Sequence, residues 1–308
     1  MRLRGFVLSL ELCAIFAGCG PASSTPQPIP ELLWGQRGTS AGRLQKPRAV
    51  AIDEQDRLYI VDMSARIQVF DPDGNLLRAP WQTPASEHGK PTGLSIDRDG
   101  NLMVADTHYY RILFYSPDGR LLRKKTLGGT LGRGPGEFGL VTDVVQDSKR
   151  NYYVSEYGNN DRIQKFSPDG DFLLQWGGHG SDPGQFRRPQ NMAIDQSDQI
   201  WVADACNHRI QVFDTDGRLV KIWGSQGRAA GELTYPYDLV IDNGFIYICE
   251  MGNNRVQKLT VDWQPIATWG RSGRTPGKLY NPWALIRDSK GRLLVIDTNN
   301  HRVQRVRM

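Results

Sequence analysis

The sequence predicts an all-β fold assembled from repeats, and three observations carry that prediction. One segment recurs six times around Arg66, Arg111, Arg162, Arg209, Arg255 and Arg302, at spacings of 45, 51, 47, 46 and 47 residues. A period in that range marks a repeat architecture. An acid stands four to six residues before each Arg, at Asp62, Asp106, Glu156, Asp204, Glu250 and Asp297. Within each repeat, four short alternating runs are separated by Asp-Gly and Asx turns, the pattern of a chain of hairpins. Four antiparallel strands per unit, repeated radially, make a six-bladed β-propeller.

Residues 1–19 read as an export signal, with Arg2 and Arg4 ahead of a mostly apolar run from Phe6 to Phe16. The run is too short to span a membrane. Phe16-Ala17-Gly18-Cys19 resembles a bacterial lipobox, which implies cleavage before Cys19 and its acylation, with ordinary signal-peptidase cleavage as the alternative. By the same resemblance, Gly20 permits sorting to an outer membrane. Residues 20–30 are rich in Pro, Ser and Thr and suit a tether. The propeller is expected over residues 31–308.

Repeat four shows the blade most plainly. Asn191–Ile194, Ile200–Ala203, Arg209–Phe213 and Arg218–Trp223 are its four expected strands, with Thr215-Asp216-Gly217 turning from third to fourth. Asp71–Gly74, Ser116–Gly119 and Ser167–Gly170 do the same in repeats one to three, whereas repeat five carries Val261-Asp262-Trp263 there. Gly-rich connectors such as Trp176–Phe186 return the chain from rim to axis, and a Pro stiffens entry to the next inner strand. The last repeat stops at its third strand, while Glu31–Gly35 matches a fourth strand followed by a connector start. The N-terminal strand is therefore expected to complete the last blade and remove the open edges.

The tripeptides Asn207-His208-Arg209 and Asn300-His301-Arg302, with the period, identify units similar to NHL repeats. That family includes a zinc-dependent lyase acting on peptidyl-hydroxyglycines, and the resemblance would imply His beside the Pro that opens alternate inner strands. The matching residues are Arg48, Thr92, Thr142, Gln190, Tyr237 and Trp283, none of them His. His108, His208 and His301 fall on alternate blades, but in different loop registers, and the repeated acid/Arg pairs read as scaffold. No catalytic residue or metal ligand is assigned and no cofactor is expected, with calcium or zinc left as the alternatives.

Function is better sought where equivalent positions differ. Arg48, Gln190, Tyr237 and Trp283 are the candidate ligand-binding residues, because an aromatic and cationic arc at the channel mouth suits a peptide, a glycan or an anionic group. One position further in, Asp143, Asn191 and Asp238 form a candidate channel cation site of oxygen ligands, with backbone bonding between blades as the alternative role. Cys206 and Cys249 are the domain's cysteines, and their pairing is left open. A net charge of +5 without a polybasic tail gives no nucleic-acid footprint. The expectation is a non-catalytic binding propeller of the cell envelope, periplasmic or lipid-anchored to the outer membrane, engaging a protein, peptide or glycan. The alternative is a metal-dependent lyase or hydrolase at the channel mouth.

Overall fold

A computed structural model describes residues 28–308, apart from residues 88 and 159. The signal, Cys19 and most of the tether lie outside the described residues. Among the described residues the strands form six four-stranded antiparallel sheets arranged as blades of one ring. Blade one comprises Pro47–Ile52, Leu58–Asp62, Arg66–Phe70 and Trp81–Gln82, and blade two Gly93–Ile96, Leu102–Asp106, Arg111–Tyr115 and Leu127–Gly128. Blade three is built from Leu140–Gln146, Tyr152–Tyr157, Arg162–Phe166 and Phe172–Gly177, and blade four from Pro189–Ile194, Ile200–Asp204, Arg209–Phe213 and Leu219–Trp223. Blade five holds Pro236–Asp242, Phe245–Glu250, Arg255–Thr260 and Pro265–Trp269. Blade six combines Ala284–Arg287, Leu293–Asp297 and Arg302–Val306 with the N-terminal Leu32–Trp34.

That last pairing closes the ring as the sequence predicts. Leu32 lies opposite Arg305 and Trp34 opposite Val303, and Arg307 adds an ion pair to Glu31 at 2.7 Å. Fourth strands are shortest in blades one and two, at two residues each, because Pro80 and the 3₁₀ turn Arg123–Lys125 break the run beyond the Asp-Gly turn.

The core lies between blades rather than within them. Strand alternation sends Tyr59, Val61, Ile67 and Val69 toward blade two, and Leu58, Ile60 and Phe70 toward blade six. Each such buried side chain contributes roughly 1.5–3 kcal/mol. An outer-strand residue of each blade also packs beneath a turn of the next. Trp34 meets Gly74, Trp81 meets Gly119, Leu127 meets Gly170 and Trp176 meets Gly217. In blade five the turn glycine is replaced by Trp263, which keeps a left-handed backbone (φ 65°) and stacks on Trp223 with ring centroids 5.7 Å apart. Trp269, the last of the series, is fully buried and donates its indole N–H to the Pro28 carbonyl. The N-terminal segment thus covers it.

The six acid/Arg pairs bind each connector to its blade. In blade four, Arg209 bonds Asp204 at 2.8 Å and donates to the carbonyls of Ser181, Asp182 and Gln185, while Asp204 accepts the Arg187 N–H. These carboxylates serve the scaffold, and only Asp106 keeps a buried oxygen without a partner. Cys206 and Cys249 are both free thiols, Cys206 exposed and Cys249 buried.

Candidate functional site

The inner strands of blades one, three, four and five carry a bulge where they enter the channel. Pairing shifts between Pro47 and Ala49, Val141 and Asp143, Pro189 and Met192, and Pro236 and Asp238. A bulge leaves one residue outside the ladder and re-aims its side chain. Arg48, Thr142, Gln190 and Tyr237 occupy these bulges, at the position that varies between repeats.

The structure brings three of the four candidate ligand-binding residues into direct contact and the fourth through a neighbour. The Arg48 guanidinium lies 4.8 Å above the Trp283 ring, and Trp283 meets Tyr237 edge-on at 5.3 Å. Gln190 joins through Arg188, whose Nε donates to its side-chain oxygen at 3.0 Å. Arg188 also lies over Tyr157 at 5.0 Å and Tyr237 at 5.5 Å. Tyr237 and Gln190 are only 4% and 5% exposed. They form the floor on which Arg48, Arg188 and Trp283 rest, and those three present the half-buried surface. Blades two and three close their part of the ring with short polar contacts, Thr92 to Thr107 and Thr142 to Ser155, each at 2.7 Å.

Arg188 and Tyr157 went unassigned in the sequence. Arg188 stands before Pro189, where other blades carry Lys46, Tyr235 and Asn281, all with left-handed backbone. That shared conformation, invisible in residue type, holds the Arg188 side chain over the floor. Beyond it lies a pocket of about 330 Å³ lined by Tyr157, Asp161, His179, Arg187, Arg188 and Cys206. There Asp161 accepts the Arg188 N–H at 3.0 Å and pairs with His179 at 2.5 Å.

Deeper in the channel, a cavity of about 260 Å³ is lined by Asp143, Asn191 and Asp238 among apolar residues. Asp238 accepts N–H bonds from Leu239 and Leu285, each at 2.8 Å, and Asp143 accepts one from Met192 at 2.9 Å. These bonds tie blade five to six and three to four. Burial pushes the Asp238 carboxyl up to about 7, and it pushes Asp143 well above the carboxylate range, with the Asp238 charge adding to the shift. One Asp143 oxygen stays unpartnered. Calcium takes six to eight oxygen ligands, waters included, so these three side chains would supply part of its shell.

His208 Nδ1 accepts the Tyr235 N–H at 3.1 Å, His301 Nδ1 that of Lys46 at 2.9 Å, and His108 Nδ1 that of Lys90 at 3.3 Å. Among the described residues, no three His, Cys, Asp or Glu side chains converge to hold a metal ion. The residues present therefore do not fit a catalytic zinc.

Comparison with known proteins agrees with this architecture. The NHL repeat model matches residues 186–213 and 279–306. Over 184 residues the chain is 40% identical to the rat (Rattus norvegicus) peptidylglycine alpha-amidating monooxygenase, a stretch covering 57% of this chain and 18% of that protein. It is 29% identical over 173 residues to mouse (Mus musculus) NHL repeat-containing protein 3, covering 51% of this chain and 49% of the relative. Among solved structures, virginiamycin B lyase from Staphylococcus aureus superposes with a TM-score of 0.62 at 16% identity, covering 89% and 84% of the two chains. That likeness concerns the fold alone. The chain is a six-bladed β-propeller in which two of the repeats match the NHL repeat model.

Proposed function

We propose that the protein is a non-catalytic binding propeller of the bacterial cell envelope, held there by a lipid on Cys19, and that it engages a protein, peptide or glycan through the channel mouth. The observation that carries this reading is the cluster of Arg48, Arg188 and Trp283 on a buried floor of Tyr237 and Gln190. Aromatic and guanidinium groups held half-buried by their neighbours are what binding surfaces concentrate. The reading is tested by Trp283→Ala on peptide and glycan arrays, with melting followed alongside. Loss of the ligands that the wild type captures, at a melting temperature close to wild type, is expected; capture identical to wild type overturns it.

One observation favours a second reading, a metal-dependent lyase or hydrolase at the mouth: the 40% identity to a peptidylglycine alpha-amidating monooxygenase. The donors described above do not fit a catalytic zinc. Zinc retained in stoichiometric amount through purification without chelator would restore that reading.

A further inference from the structure

Arg48 and Arg188 stand together without a counter-charge. Neither guanidinium forms an ion pair among the described residues, and Arg188 uses one donor, on Gln190. Asp161, which lines the adjoining pocket with Arg188, is occupied by the Arg188 backbone N–H and by His179. The two guanidiniums flank one aromatic pair, Arg48 over Trp283 and Arg188 over Tyr237, whose rings meet at 5.3 Å. Burial lowers the pKa of Arg48, Tyr157 raises it and the Arg188 charge lowers it further. Two half-buried like charges without a partner destabilise the protein that carries them, unless a ligand supplies the opposite charge. Aromatic rings lie against both groups, and apart from the Arg188 Nε bond to Gln190 neither guanidinium donates a hydrogen bond among the described residues. The in-plane N–H edge of a guanidinium is the geometry for two-point bonding to a planar or tetrahedral anion.

We propose that the ligand of the mouth is bound through a dianionic group, a phosphoryl or a pair of carboxylates, seated between Arg48 and Arg188. A single carboxylate would neutralise one guanidinium and leave the other as it is, whereas a dianion matches both. The exposed part of Trp283 then faces the organic body of the ligand. This inference rests on the mouth being the binding surface, and it adds the charge and chemical class of what binds.

The test titrates the full chain with inorganic phosphate, succinate and acetate in low-salt buffer, by calorimetry and by melting. Phosphate or succinate is expected to bind and raise the melting temperature, with acetate far weaker. Phosphate alone would assign a phosphoryl group, and succinate alone paired carboxylates. Arg48→Gln and Arg188→Gln should each weaken binding at least about tenfold, and Arg48→Lys, which keeps the charge without the fork, should fall between. No binding of either dianion to a normally melting wild type overturns the inference, as does equal binding by both Gln variants. Array capture that needs Trp283 but survives both Gln variants would remove the anion site and leave the binding surface. Capture indifferent to all three variants would remove both.

Discussion

At the scale of single residues, the histidines that prompt a search for metal turn out to be latches. His208 and His301 each accept a backbone N–H from the following blade through Nδ1, and Asn254 does the same for Asn281 at 2.7 Å. An imidazole accepts there only while that nitrogen is unprotonated. Burial holds the His208 and His301 pKa values below the ordinary value, and at His301 the Arg37 and Lys46 charges add to the effect. Because the folded pKa is depressed, this contribution is present above the unfolded value of about 6.5 and is lost as pH falls below it. Asp238 acts in the opposite sense: its carboxyl is raised to about 7 when folded, so its contribution fades as pH rises through that value. The double variant His208→Asn, His301→Asn keeps both acceptors and leaves Asp238 alone. We expect it to match wild type near neutral pH and to lose less stability on acidification, by about 1 kcal/mol per latch. Equal acid sensitivity in the two proteins, read by urea denaturation across the range, would show that the latches do not titrate.

At the scale of elements, the turns between third and fourth strands do more than reverse the chain. Gly217 has φ 76°, and a Cβ there would lie 2.7 Å from the Trp176 ring of the preceding blade. Gly244, in the turn between the first two strands of blade five, has φ 77° with nothing within 4 Å. Gly217→Ala and Gly244→Ala therefore share the backbone strain of about 1–2 kcal/mol, and only the first also displaces a tryptophan. The Gly217 variant should melt lower than the Gly244 variant by several degrees, and equal melting would deny the packing a role. Blade five reaches the same end differently, with Trp263 stacked on Trp223 where glycine would leave a gap. Hairpins, turns and the fourth strand at the N-terminus were legible in the sequence because period-two alternation and Asp-Gly spacing are local signals. The role of Trp263 was not, since its stacking partner belongs to the previous repeat. The site was half legible: unlike residues at one repeat position pointed to Arg48, Gln190, Tyr237 and Trp283. Arg188 and Tyr157 lie two positions and one loop away, and only the left-handed backbone at Arg188 and the bulge at Gln190 bring them in.

At the scale of the whole molecule, the ring depends on Leu32–Trp34 pairing with Arg302–Val306. Deleting residues 31–36 would bare an edge strand in blade six and remove Trp34 from beneath Gly74. We expect that variant to melt lower and to aggregate; wild-type melting and solubility would show that closure is dispensable. The same pairing also dictates an order of events. Blades one to five are built from segments adjacent in sequence, so each can assemble as soon as its own residues are available. Blade six must wait for partners separated by nearly the whole chain, and long loops close slowly. The first strand needed is the last to find its place, which makes sealing of the ring the natural slow step of maturation and the interval before it the time when the chain is most open to proteases and chaperones.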